Sequence, residues 1–244
     1  MNYIDAIIAF LIVAIIYVIF LKLRVNSNFK IDLKIFVIHY KKLTERKLSI
    51  IQQFDKYKIT NYEFIEIDRD DLETLDTSMF HDDYNNVQRA ISLSHFKAYE
   101  EISKKYDEGL ILEDDVKLSD DFMNKLNSYI VQLPEDYDML FIGDGAGLHI
   151  ENHVLVPEKN IYKKGLDKTS WGGEGATRCT DSYIVSNNCA TGLCNYIKNI
   201  KEKVNLPIDW WLNKPLKENN FNIYWAEPTI VSQGTQNGTY TPSY

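Results

Sequence analysis

The segment Gly109-Leu110-Ile111-Leu112 is a short apolar run that stops on three consecutive carboxylates, Glu113, Asp114 and Asp115. A run of this length reads as a buried strand, and the acids then stand where that strand leaves the core. Three adjacent anions repel one another, and burying them unpaired is costly. A hard divalent cation bound through oxygen removes that penalty, as Mg²⁺ or Mn²⁺ does in phosphate-handling sites. A solvated acidic turn, ahead of a helix starting near Ser119, accounts for the triplet equally well.

The flanking periodicity supplies the frame. Strand patterns occupy residues 33–38, 62–67, 138–142, 182–186 and 222–225. Helical stripes fall at 43–57, through Leu43, Ile50, Ile51 and Phe54, and at 87–106, through Ala90, Ile91, Leu93, Ala98, Tyr99 and Ile102. Further helices are expected near 120–133, stopped by Pro134, at about 190–203, and after Pro207. This β-α-β-(α)-β-α-β order predicts a layered α/β domain with a mainly parallel sheet. Ligands of such sheets bind off the carboxyl ends of strands, where His39-Tyr40 and Glu113–Asp115 both fall.

Between 143 and 178 the chain reads as a loop rich in glycine. Gly143-Asp144-Gly145-Ala146-Gly147 has the look of a phosphate loop, but no helix pattern follows it to supply a dipole, so it reads as a flexible turn. The whole connection reads as a substrate lid or acceptor loop. His149, Glu151 and His153 would share a face if their segment were a strand; chance alternation on a surface hairpin outweighs a zinc site there.

Composition bounds the function classes. With 45% hydrophobic and 25% charged residues the chain is ordinary globular material. Of its net charge of −8, the first 24 residues carry +1 (Lys22 and Arg24 against Asp5), leaving −9 for the remainder. Tracking a nucleic-acid backbone demands basic patches, so no nucleic-acid partner is expected. Three cysteines, Cys179, Cys189 and Cys194, form neither a disulfide framework nor a paired zinc spacing. Asn237-Gly238-Thr239 matches a glycosylation acceptor, which matters only in a secretory lumen.

Residues 6–21 are uninterrupted apolar sequence, and the wider stretch 4–21 is near the minimum length for a spanning helix. Its start carries Asp5 and no Lys or Arg, and no Ala-x-Ala pattern follows, unlike a cleaved signal peptide. The expected organisation is a single-pass anchor at 1–24 followed by one domain at 25–244. Lys22, Arg24, Lys30 and Lys34 all follow the apolar run, which by the positive-inside rule puts that domain in the cytosol.

Several motifs gain meaning from their order: Thr44-Glu45-Arg46-Lys47, then Gln88-Arg89-Ala90-Ile91-Ser92-Leu93-Ser94-His95, then Leu112-Glu113-Asp114-Asp115-Val116. Asp181-Ser182-Tyr183-Ile184-Val185-Ser186, Leu206-Pro207-Ile208-Asp209, Glu227-Pro228 and Ser232-Gln233 follow. This series resembles glycosyltransferase family 25, which includes bacterial lipooligosaccharide galactosyltransferases and the galactosyltransferase domains that modify collagen hydroxylysine. The resemblance spans about residues 33–235. It implies a GT-A fold, inverting transfer from a nucleotide sugar, usually UDP-galactose, and dependence on Mn²⁺ (or Mg²⁺). The chain departs from the family pattern at His39-Tyr40-Lys41-Lys42, where Asn-Leu-Asp-Arg is usual, and at Gln88-Arg89-Ala90-Ile91, where Glu-Leu-Gly-Cys is usual.

By that resemblance Asp115 holds the metal, Asp114 meets the ribose, and Glu113 meets the sugar or a metal-bound water. His39 and Tyr40 sit at the donor-binding strand end. Arg46 either pairs with phosphate oxygens or forms a salt bridge to Glu45 or a neighbouring surface acid. Ser94 and His95 point toward the sugar. The base that deprotonates the acceptor should be a carboxylate opposite the leaving group; Asp209, ahead of Trp210 and Trp211, is the first choice and Asp181 the second. The expected activity is transfer of galactose or glucose from a UDP-sugar to a hydroxyl on a glycan or protein acceptor. A non-catalytic sugar- or nucleotide-binding relative and a membrane-tethered acidic interaction protein are the alternatives.

Overall fold

The strands that carry the site belong to a seven-stranded sheet of order β2-β1-β3-β7-β5-β8-β6, seen in a computed structural model that describes residues 33–166 and 175–242. In chain order the strands are β1 (Lys34–Ile38), β2 (Tyr62–Ile65), β3 (Glu108–Glu113), β4 (Val116–Leu118), β5 (Met139–Phe141), β6 (Ile161–Lys164), β7 (Ser182–Ser186), β8 (Ile223–Ala226) and β9 (Val231–Gln233). β1 pairs in parallel with β2 and β3, and β5 with β8; β7 lies antiparallel between β3 and β5, and β6 antiparallel along β8. Five of the seven strands therefore point one way, as a mainly parallel sheet requires. β4 and β9 form a separate antiparallel ribbon.

The helices are α1 (Thr44–Tyr57), α2 (Asn86–Lys105), α3 (Phe122–Gln132), α4 (Asn187–Lys198), α5 (Ile208–Trp211) and α6 (Asn213–Glu218). α1 buries Arg46, Ile50 and Phe54, four residues apart on one face, so its only buried cation lies on its apolar stripe. α2 starts where the Asn85 side chain accepts the Val87 amide at 2.7 Å, and it packs against α4. Phe96, Tyr99 and Ile102 of α2 enter one core with Cys189, Ala190 and Leu193 of α4 and with Ile111, Phe141 and Tyr183 of the sheet. Each fully buried aliphatic or aromatic side chain there contributes about 1.5–3 kcal/mol.

Several local expectations change. α4 begins a turn earlier than its apolar pattern, because Ser186 at the end of β7 accepts the Cys189 amide at 3.1 Å and caps it. β6 lies inside the stretch read as loop, and β4 and β9 are too short to show alternation. The 149–153 segment is not a strand: Asn152–Val154 is a 3₁₀ turn, His149 faces Glu227 at 3.1 Å, and His153 faces Glu151 at 3.2 Å. Among the described residues no group of three or more His, Cys, Asp or Glu side chains is placed to hold a metal. No helix among the described residues is long and apolar enough to cross a membrane; the expected anchor at 1–24 lies outside the described residues.

Candidate active site

A cleft opens at the carboxyl ends of β1 and β3, lined by His39, Tyr40, Arg46, Ser94 and Glu113–Asp115. Register explains the gathering, since Ile38 stands opposite Glu113 and the residues that follow each strand emerge side by side.

Asp114 is the bracket of this corner. Its Oδ2 accepts His39 Nδ1 at 2.8 Å and the Tyr40 amide at 3.2 Å, and its Oδ1 accepts Arg46 Nη1 at 2.9 Å. Arg46 also donates to the Thr241 carbonyl at 2.8 Å and lies over the Tyr240 ring. It forms a salt bridge, but to buried Asp114 and not to Glu45 or a neighbouring surface acid. Asp114 keeps one Oδ1 lone pair unused; its main bonds tie β1, β3 and α1 together. The Tyr40 ring lies 4.7 Å from the Arg69 guanidinium.

Asp115 occupies the turn between β3 and β4 and is held by the segment after β9. Its Oδ2 accepts Thr235 Oγ1 at 2.5 Å and the Thr235 amide at 3.3 Å, while its carbonyl accepts the Gly234 amide at 2.7 Å. A Cβ at Gly234 would stand 2.6 Å from that carbonyl oxygen, so the close approach needs glycine. Oδ1 of Asp115 is buried with no hydrogen-bond partner. Burial, reinforced by the Glu113 charge, pushes its carboxyl up to about 6 against the pull of Thr235. A buried carboxylate oxygen without a donor fits a hard cation. With one such oxygen available, water and diphosphate oxygens would complete the coordination, the usual habit of Mg²⁺.

Glu113 lines the cleft and accepts Thr180 Oγ1 at 3.0 Å. Behind it lies His95, fully buried, with Nε2 3.5 Å from Glu113 Oε1 and Nδ1 2.7 Å from the Tyr183 hydroxyl. His95 therefore cannot touch a sugar in the cleft and faces Glu113 instead. Ser94 reaches the wall, but its hydroxyl donates to the Ala90 carbonyl at 2.9 Å.

Two further acids stand at the same sheet edge. Asp181 is fully buried and lines neither cavity, which removes it as an acceptor base. Its Oδ2 accepts Ser182 Oγ at 2.8 Å, its carbonyl accepts the Glu113 amide at 2.8 Å, and its Oδ1 is unpartnered. Burial, then the charges of Glu113, Asp144 and Asp115, hold its carboxyl well above the ordinary carboxylate range. Asp144, which the sequence reading passed over as part of a flexible turn, follows β5 and also has a buried, unpartnered Oδ1. Its signal was an acid closing a short apolar strand, the same signature as Glu113–Asp115.

Asp209 lies in the first turn of α5 on a second, larger cavity of about 860 Å³, with Thr177, Cys179, Tyr196, Leu206 and Trp210. Its Oδ1 accepts the Trp210 amide at 3.0 Å. Burial raises its carboxyl above the ordinary value, and the Glu113 charge adds to the effect. The two tryptophans divide: Trp211 packs on Phe96 in the core, while Trp210 is 55% exposed on the cavity.

Similar solved structures include a glycosyltransferase involved in glycosylation of the major capsid of PBCV-1, at 11% identity and a TM-score of 0.48, covering 85% of this chain and 99% of that one. A Drosophila β1,4-galactosyltransferase 7 in complex with manganese, UDP-Gal and xylobiose is 9% identical with a TM-score of 0.41, covering 83% of this chain and 68% of that one. The catalytic domain of the Drosophila enzyme with xylobiose is 8% identical with a TM-score of 0.40, covering 84% of this chain and 68% of that one. No curated protein matches the sequence. The model of glycosyltransferase family 25 (LPS biosynthesis protein) matches residues 32–212, most of the chain. The chain belongs to glycosyltransferase family 25.

Proposed function

We propose that this glycosyltransferase moves a hexose, galactose or glucose, from a UDP-sugar to a hydroxyl of a glycan or protein acceptor, with inversion and with a divalent metal. The observation that carries the reading is the buried, unpartnered Oδ1 of Asp115 in the cleft at the carboxyl end of β3. Asp115 would hold Mn²⁺ or Mg²⁺, which when bound neutralises charge developing on the departing diphosphate. Glu113 faces the donor sugar. Asp114 offers its remaining lone pair to the ribose, and the bonds it makes to His39, Tyr40 and Arg46 keep that corner rigid.

Asp209 is the acceptor base. Its raised affinity for a proton suits a group that must take one from a hydroxyl near neutral pH. The cavity beside it is large enough for a sugar ring, and the Trp210 indole offers a surface on which such a ring can stack. The domain at 25–244 is held to the cytosolic face of a membrane by residues 4–21.

A panel of UDP-sugars offered to the full chain with Mn²⁺ tests the reading. Turnover of UDP-galactose or UDP-glucose is expected, lost on chelation and in Asp115→Asn. An Asp115→Asn variant that keeps substantial Mn²⁺-dependent turnover would remove the metal assignment.

A further inference from the structure

Three side chains form a hydrogen-bonded line in the core, and its last member faces Glu113 in the cleft. The hydroxyls of Tyr99 and Tyr183 are 2.7 Å apart, the Tyr183 hydroxyl is 2.7 Å from His95 Nδ1, and His95 Nε2 is 3.5 Å from Glu113 Oε1. Tyr99, Tyr183 and His95 are all fully buried, and Nε2 has no hydrogen-bond partner of its own. Burial pushes both phenols well above their ordinary value, so each is a neutral O–H.

Donor and acceptor counting gives this line one direction. If Tyr99 donates to Tyr183 and Tyr183 donates to His95 Nδ1, the ring proton sits on Nε2 and faces a carboxylate. In the reverse order the Tyr99 proton has no acceptor in the core, and a ring lone pair opposes the Glu113 carboxylate. Each of those faults costs about 1–3 kcal/mol. The 3.5 Å separation is the kind of long contact that tightens when a site fills.

We propose that Tyr183, backed by Tyr99, is a positioning residue that fixes the Nε2–H tautomer of His95 and through it holds the Glu113 carboxylate in the donor cleft. The catalytic consequence rests on the donor-facing reading of Glu113; the tautomer does not.

Two measurements on the full chain keep those parts separate. Nitrogen-15 NMR of histidine-labelled protein, with His95 assigned by the signal lost in His95→Gln, should show the proton on Nε2. The same tautomer should persist in Glu113→Gln, because the tyrosines set it from behind; a proton on Nδ1 in the wild-type chain overturns the proposal. Kinetically, Tyr183→Phe should lower kcat for UDP-sugar turnover about tenfold with KM unchanged. Tyr99→Phe, which leaves Tyr183 able to donate, should cost less. In a Glu113→Gln background the Tyr183→Phe change should cost under twofold, since it acts through Glu113. An equal loss in both backgrounds marks a merely structural hydroxyl and refutes the positioning role. If the wild-type chain turns over no UDP-sugar, the functional reading fails, and the tautomer alone decides the relay.

Discussion

Replacing Asp115 by asparagine should make the metal-free protein more stable while it destroys the metal site. The carboxyl is 3% exposed, is pushed up to about 6, and has one oxygen without a partner. An acid whose proton affinity rises on folding binds that proton more tightly in the native than in the unfolded chain. Below the ordinary value of 3.8 both states are protonated and nothing is lost; stability falls as pH rises from there to about 6, and above that the full penalty applies. The gap between 3.8 and about 6 corresponds to roughly 3 kcal/mol at pH 7.5. Asparagine keeps an oxygen for Thr235 and carries no charge against Glu113. For a domain of this size, Tm should rise by roughly 6–12 °C at pH 7.5, with the gap narrowing toward pH 5. Melting in EDTA across that range measures it. Mn²⁺ and UDP at about 100 times their Kd should then stabilise the wild-type chain by about 2.7 kcal/mol and the variant not at all. A variant that melts at or below wild type at pH 7.5 in EDTA would show that Asp115 is not a strained carboxylate awaiting a cation.

Asp209→Asn should lower transfer at least about 100-fold while Mn²⁺-dependent donor hydrolysis and UDP affinity stay within about threefold, as expected for loss of a general base; undiminished transfer puts the base elsewhere. Asp114→Ala leaves buried Arg46 and His39 without their carboxylate and should cost about 3–5 kcal/mol in urea unfolding; a loss under about 1 kcal/mol would mean that the bracket is dispensable. Gly143→Ala brings a Cβ to 2.0 Å from Asp181 Oδ2 and should destabilise by at least about 1–3 kcal/mol, read as a lower urea midpoint.

How much of this was legible follows from how far apart the partners lie. The ends of β1 and β3 were readable because each strand announces itself locally, as an apolar run closing on polar residues, and the parallel pairing then sets those ends side by side. The bracket around Asp114 was not, since Arg46 and His39 lie 68 and 75 residues away and no local pattern encodes the contact. Thr235, which grips Asp115 across 120 residues, follows β9, a strand of three residues with too little alternation to detect. Arg46 takes a distant partner for a physical reason: a cation on the buried stripe of α1 needs a buried anion, and the neighbouring Glu45 points off that stripe. His95, expected at the sugar, is instead buried behind Glu113, because its place on the core face of α2 keeps it from the cleft.

The density of acids at this edge follows from one topological fact. Glu113–Asp115 follow β3 and Asp144 follows β5, two strands of the same direction, so these acids leave the sheet on one side. β7 runs the other way between them, so its beginning, not its end, comes to that edge and delivers Asp181 opposite Glu113 and beside Gly143. The rule that ligands sit beyond carboxyl ends of parallel strands thus gains an amino end when a reversed strand is inserted. There burial first, and the charge of Glu113 second, raise the proton affinity of both Asp115 and Asp181. A carboxylate buried this way is unfavourable to the fold, and positive charge brought beside it would relieve that penalty. On the proposed metal reading, stability lost at the sheet edge and affinity for a cation are two consequences of the same buried charge, and a substitution that improves one should degrade the other.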